Sequence, residues 1–583
     1  MASPHYQATG SLPSDYAILS RYAVHRSAND SAVQAGSEEP EYDSDSTEGS
    51  PFLSPRPSKP TMANDHLAPP AFNEHTPLLN PAIPRIPEHV EDNDDTSHEN
   101  TMAIYWEEFR ILTKYGLPVW GTHVLEYSLV MASVLSVGHL STTALAAITL
   151  GSMTASVSGL SIIQGFTSAL DTMLPSAWTT QPQLVGLWSQ RMAVVMAALL
   201  IPMYAVWFNA EAILLLLKQD PDVARLAAVY LRYVSFGLPA YAFNCISRRY
   251  FQSQGLFTVP TRIIFIVAPI NALLNYILGE PLCLSKHVRY STFLVWGPEP
   301  IRLGFIGAPI STAISFNLVA LLSTLYGVFF VPRTAWHPIC RRSFTSLGVL
   351  VNLGLGGVGQ TASEWWAWEL IGLAASLLGP VALATQSVLL VSSSTTFQAP
   401  FALSVATSVR IGNLLGESKA RRAGIASNTS LVMSLIMSSL FCTMFLVFRN
   451  SWGYLFNDDP AVITQTAAIL PVVAVFQVFD GGAAVSGGVL RARGKQVTGA
   501  LLNLSAYYII GIPLGILMAF KAGMGLHGLW YGLTISLIYC AVFGTLLCIR
   551  TDWNHEVAKV MARLKEEDIK QRMEMDAEEG LTG

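Results

Sequence analysis

Residues 347–378 read LGVLVNLGLGGVGQTASEWWAWELIGLAASLL, an apolar run whose only charges are Glu364 and Glu369, both in the block Ser363–Leu370. About 20 apolar residues cross the hydrocarbon core of a bilayer as a helix, and this run is long enough. An ionised carboxylate at that depth costs several kcal/mol. The two acids must therefore be compensated, or they must take up protons.

The whole chain supports the membrane reading. It has 583 residues, 51% hydrophobic and 13% charged, with mean hydropathy +0.40. Soluble domains carry roughly 25% charge. Polar residues concentrate in 1–100, where EEPEYDSDSTEGSPFLSPRPSKP is typical. That segment cannot bury a core and is expected to be a disordered cytosolic tail. It has no apolar h-region and so is not a cleavable signal peptide. The six cysteines lack CxxC or zinc-like spacing and are expected to be isolated thiols.

From Leu117 onward, long apolar runs alternate with short polar breaks. Twelve transmembrane helices are expected, starting near 117, 143, 191, 225, 260, 303, 347, 380, 424, 462, 497 and 526. Residues 101–116 look like a separate interfacial helix. The domain plan is a six-helix lobe over 117–332, a loop over 333–346, a second lobe over 347–550 and a charged cytosolic tail over 551–583. With both termini cytosolic, 14 Lys and Arg residues fall in cytosolic loops and 7 in the opposite ones. That excess agrees with the positive-inside rule.

The chain also contains a repeat. GFTSALDTMLPSAWTT (165–180) and ALSVATSVRIGNLLGE (402–417) each end a long span, and an offset of 237 places Ala169 on Ala406. Two parallel six-helix halves follow, related by a pseudo-two-fold axis, with a binding site between them.

SALDT, EWWAWEL, SVATSVRIGNLLGES and FDGGAAVSGGVLRARGKQVTGALLNLSAYYIIGIPLG, in that order, resemble the multidrug and toxin extrusion (MATE) transporters. The acidic-aromatic block is similar to eukaryotic members, and the long tail suggests a fungal type. The resemblance implies an all-α membrane protein whose two lobes form a V around a cavity and export compounds against a cation gradient. It also implies that Glu364 and Asp480 form the acidic pair of the C-terminal lobe, and that His123 occupies a polar cavity position. Two departures stand out. Pro175–Thr179 replaces the usual Gln-aromatic-Gly ending, and Ser133 stands where many bacterial relatives have an aspartate.

Several residues are candidates for the chemistry. Glu364 and Glu369 point about 140° apart on a helix, so one spot cannot hold both. Glu364 aligns with Trp368, and Trp365 with Glu369; each pairing offers charge and an indole face for an organic cation. Glu369 is the better structural candidate. Asp480 is the only charge between Asp459 and Arg491, among glycines that permit close helix approach. Two carboxylates in a poorly solvated cavity disfavour each other's ionisation, so Glu364 and Asp480 are the expected proton-coupling pair. His123, Glu126 and Tyr127 share a face of the first helix and are expected to meet substrate or relay protons. Asp171 and Arg410 read as structural or gating residues, with Arg191 and Arg410 as partners of Asp171. Asn244, Asn271 and Asn275 could line the cavity or bond helices together. Trp366 could pack in the core or face lipid.

No P-loop, HExxH or GxSxG motif is present, and no basic surface suits nucleic acid. The expected protein is therefore not an enzyme, binds neither cofactor nor metal, and acts as a monomer on small organic molecules. Protons are the expected coupling ion, with sodium as the alternative. The acidic dileucine block EHTPLL (74–79) favours the vacuolar membrane over the plasma membrane. A lipid-linked flippase and a transport-inactive receptor or scaffold are the alternative functions.

Overall fold

The computed structural model describes residues 101–138, 142–278, 303–456 and 459–582, and every regular element among them is helical. The 1–100 tail with EHTPLL, and Cys283, Lys286, Arg289 and Arg302, lie outside the described residues, as does the Ser133 side chain.

Twelve long helical segments follow in order. The first six are α1 (Thr101–Gly138), α2 (142–180), α3 (Gln183–Phe208), α4 (221–253), α5 (Thr258–Leu278) and α6 (Gly307–Phe330). The second six are α7 (Leu347–Ser376), α8 (Pro380–Gly416), α9 (Ala420–Val447), α10 (Pro460–Ala492), α11 (Gln496–Lys521) and α12 (Leu526–Ile549). A thirteenth, α13 (Trp553–Thr582), ends the chain. Nine of the twelve are apolar and long enough to cross a membrane by composition, among the described residues. The remaining three are α1, α4 and α7. Their apolar runs are broken by Glu126 and His123, by Arg248 and Arg249, and by Glu364 and Glu369.

Packing repeats between the halves. The pairs α1–α5, α2–α3, α3–α4 and α4–α6 recur as α7–α11, α8–α9, α9–α10 and α10–α12. The crossing of α2 with α7 has its counterpart in α8 with α1. Each half has its own core: Trp207, Leu170 and Leu187 in the first, and Trp530, Phe476 and Leu529 in the second. Even the turns match. Gly255 and Gly494, with φ of 78° and 70°, let α4 and α10 end in the same left-handed turn. In each, the next amide reaches five residues back, Leu256 N to Phe251 O (3.0 Å) and Lys495 N to Leu490 O (2.9 Å). The ends of α2 and α8 differ. α8 closes through left-handed Ser418, whereas α2 stops at Thr180 and passes into an extended Gln181, φ −137°. The altered Pro175–Thr179 stretch belongs to this divergent end.

One expectation needs correction. Residues 101–116 are not a separate helix: α1 runs unbroken from Thr101 through Pro118. Its start is held down because Glu108, fully buried, receives Arg410 twice (2.7 and 2.8 Å) and Arg422 (2.6 Å). The charged tail expected over 551–583 is itself folded: Trp553–Thr582 form α13, which docks on the helix ends. Glu556 binds Arg493 at 2.9 Å, Glu567 binds Arg191 at 2.5 Å, and Arg563 donates to Ser176 at 3.1 Å. Val560 enters an apolar cluster with Ile411, Leu414 and Val489. α13 therefore straps α2 and α3 to α8 and α10, because its acids meet arginines that the helix ends would otherwise leave buried without counter-charge.

Two of the asparagines bond helices together, and the third braces its neighbour within α5. Asn244 reaches Phe316 O at 3.0 Å, Asn271 reaches Ser315 Oγ at 2.8 Å, and Asn275 bonds Asn271. Five described cysteines are free thiols.

Candidate functional site

Asp480 sits midway along α10 and is 5% exposed. Small residues around it let α7, α8 and α9 converge on α10. A Cβ on Gly481 would strike Ser438 of α9, one on Gly487 would lie 2.8 Å from Gln360 of α7, and one on Gly488 would lie 2.5 Å from the Ser404 carbonyl of α8. The convergence leaves a cavity of about 70 Å³ lined by Glu364, Asp480, Gln360, Tyr507, Asn503 and Arg491, among others. Drug-sized ligands fill pockets of roughly 300–1,000 Å³, so in this conformation the cavity is sized for protons and water rather than for substrate. Trp365, Phe397 and Phe401 form its aromatic wall.

α11 helps shape this wall. Residues Ser505–Gly511 form a π-helical turn, which widens the helix at Tyr507 and Tyr508. Tyr508 donates to Ser363 O at 3.1 Å, and Asn503 to Gln360 O at 2.9 Å, tying α11 to the stretch of α7 that carries Glu364. Among the described residues, neither Glu364 nor Asp480 forms an ion pair. The only described cation lining the cavity, Arg491, contacts Asp171 at 3.4 Å.

The SEWWAWEL block separates Glu364 from Glu369 as expected, but it splits the expected Glu364–Trp368 and Trp365–Glu369 pairs and takes Trp368 and Glu369 away from the cavity. Glu364 and Trp365 line the cavity, and Trp365 is 37% exposed. Trp368 turns into the lobe core, its ring 5.5 Å from Phe476 and 5.7 Å from Trp530. Glu369 is half-buried and off the cavity. Trp366 is neither core nor free: its Nε1 donates to Val157 O at 3.1 Å in the π-helical turn Ser156–Leu160 of α2. It is a bond between the lobes.

The first lobe presents a different site. Glu126 is ion-paired with Arg248 of α4 and lies 3.4 Å from His123 Nδ1. The His123 ring meets Phe401 edge-on at 5.0 Å, so this cluster and the C-terminal cavity share one aromatic partition. Tyr127 makes no hydrogen bond to this pair among the described residues.

Asp171 is held by Arg249 (2.9 Å) and Arg491 (3.4 Å), not by Arg191 or Arg410. Those two are taken by Glu567 and Glu108. Arg248, Arg249 and Arg491, three of the 14 cations counted in cytosolic loops, lie inside helices as ion-pair partners. The loop-charge tally therefore mixes topology signals with structural pairs. Intramembrane acids at 126 and 171 were the available clue, because each needed a cation from another helix.

The comparisons agree with this fold. The MatE family model matches twice, over 118–277 and 358–517, segments that start 240 residues apart and bear out the repeat. An uncharacterized transporter of Schizosaccharomyces pombe is 34% identical, with 78% of this chain and 81% of that protein covered. Human multidrug and toxin extrusion protein 1 is 31% identical over 80% of each chain. The crystal structure of the eukaryotic MATE transporter AtDTX14 superposes with TM-score 0.71 and 28% identity, covering 79% of this chain and 99% of that one. With two lobes of matching helix packing, a carboxylate-lined cavity in the second and both halves matched by the family model, this chain belongs to the MatE family of integral membrane transporters.

Proposed function

We propose that the protein is a secondary antiporter that exchanges protons for amphipathic organic cations. The observation that carries this reading is the Glu364–Asp480 cavity, where two carboxylates share a small buried space with no ion-pair partner of their own among the described residues. Two like charges in a poorly solvated site cannot both be retained cheaply. A proton or an organic cation relieves the same excess charge, so the two compete and their gradients become linked by mass action. Trp365 and the phenylalanines at the wall supply apolar and cation–π contact, worth about 0.5–2 kcal/mol for a good ring. His123 and Glu126 face the same partition from the first lobe and are proposed to bound the substrate path, with Asp171 and Arg410 holding helix ends.

Both termini are proposed to be cytosolic, with the α2 and α8 ends and α13 on that side. The vacuolar membrane is the proposed address. It is tested by imaging a Leu78→Ala, Leu79→Ala double variant; an unchanged location would discard the sorting signal. Transport is tested in inside-out vesicles with labelled tetraethylammonium and an imposed pH gradient. Proton-driven uptake that disappears in Glu364→Gln and in Asp480→Asn supports the reading. Uptake unchanged in both correctly inserted variants would overturn it.

A further inference from the structure

Arg491 belongs to two charge systems at once. Its guanidinium lines the cavity that holds Glu364, and its Nε lies 3.4 Å from Asp171 of the opposite lobe. Both the Arg491 and Asp171 side chains are only 11% exposed. Asp171 also receives Arg249 of α4 at 2.9 Å. Neutral bonds fix Arg491 in place: its Nη2 donates to Ser404 Oγ of α8 at 2.7 Å, and its carbonyl accepts from Thr172 Oγ1 of α2 at 2.5 Å.

The order of charges is Arg249, Asp171, Arg491, Glu364, with the lobe boundary between the second and third. With Glu364 ionised, signs alternate and the array is neutral. With Glu364 neutral, the two buried cations of this array share one carboxylate, and only Asp480 at the cavity is left to offset the positive charge at the boundary. A buried, unbalanced charge is costly, and exposure to water relieves it. Asp480 is the other charged group at the cavity. Tyr507 and Cys540, also at its wall, are weak acids and uncharged near neutral pH.

We propose that Arg491 is the gating residue that converts the charge on Glu364 into closure of the two lobes at the α2–α10 contact. Ionised Glu364 locks this end. A proton or an organic cation at Glu364 unlocks it, so an empty, deprotonated carrier stays shut and does not leak the gradient. This inference rests on the antiport reading for its purpose but not for its test.

The test is a distance measurement rather than a transport assay. Spin labels are placed at Gln183 and Val497, exposed positions at the starts of α3 and α11, in a full-length chain with its native cysteines replaced. Inter-label distances are then recorded in nanodiscs between about pH 5 and 8. The wild type is expected to shift toward longer distances as pH falls. Glu364→Gln is expected to show the long distance at every pH, with the open-to-closed ratio raised roughly tenfold at the alkaline end. Arg491→Lys, which keeps the charge, retains the pH response. A Glu364→Gln protein with the wild-type distance profile would overturn the proposal. Absence of proton-driven transport alongside an intact distance response would overturn the antiport reading instead and leave the gate standing.

Discussion

The two lobes pack alike and are charged differently. In the first, Glu126 has a dedicated cation, Arg248, with His123 at 3.4 Å. In the second, Glu364 and Asp480 share a cavity whose only cation among the described residues is engaged by Asp171 across the lobe boundary. A carboxylate with a fixed counter-ion has little reason to trade a proton for an organic cation, because its charge is already balanced. A carboxylate without one does. The repeat therefore supplies the scaffold twice, and local pairing decides which copy can couple.

The largest expected effect separates the two sites by function. Glu364→Gln or Asp480→Asn should reduce pH-driven uptake to the level of empty vesicles, while protein yield and melting temperature hold. Glu126→Gln should do the reverse. It leaves Arg248 buried without its counter-charge, a change that typically costs 3–5 kcal/mol, and should lower the melting temperature while transport by the surviving protein stays pH-dependent. A Glu126→Gln, Arg248→Gln pair should recover most of that stability. If Glu126→Gln abolishes coupling without loss of stability, the contrast between the lobes is wrong.

A similar loss is expected at Glu108, ahead of the apolar part of α1. Burial alone would push its carboxyl up, but Arg410 and Arg422 hold it below the ordinary carboxylate value. Its contribution is thus present above the unfolded value, about 4.3, and is lost as pH falls through the lower folded value. Glu108→Gln should cost about 3–5 kcal/mol near neutral pH and should flatten the acid limb of a melting-temperature profile. An unchanged acid limb would mean that the Arg410–Glu108–Arg422 cluster does not fasten α1 to the second lobe.

Smaller effects lie within SEWWAWEL. Trp365→Ala should weaken an organic cation by about 0.5–2 kcal/mol, seen as a raised KM with little change in kcat. Trp366→Phe removes one bond to Val157 O, worth about 1 kcal/mol, and should lower the melting temperature slightly without changing KM. Equal KM effects from both would erase the assignment of one indole to the cavity and the other to the lobe seam.

The fold was legible because membrane crossing depends on local composition. Nine spans stand out by hydropathy alone, and the other three stand out through the charges that interrupt them. The division of Glu364 from Glu369 followed from helical rotation, which needs no partner. The partners themselves were not legible. Arg248 and Glu126 are 122 residues apart, and Asp171 and Arg491 are 320 apart. No periodicity links such pairs, and proximity in sequence wrongly favoured Arg191 for Asp171. Docking of α13 was hidden for the same reason: Glu556 and Glu567 look like solvated tail acids until Arg493 and Arg191 are brought to them.

The most direct test compares the two kinds of acid in one assay. Inside-out vesicles carrying wild-type, Glu364→Gln or Glu126→Gln protein, matched for inserted amount, take up labelled tetraethylammonium with and without a pH gradient. Gradient-stimulated uptake is expected in the wild type and in Glu126→Gln, and none in Glu364→Gln. Gradient-stimulated uptake by Glu364→Gln at the wild-type level would contradict the assignment of coupling to the unpaired carboxylates of the second lobe.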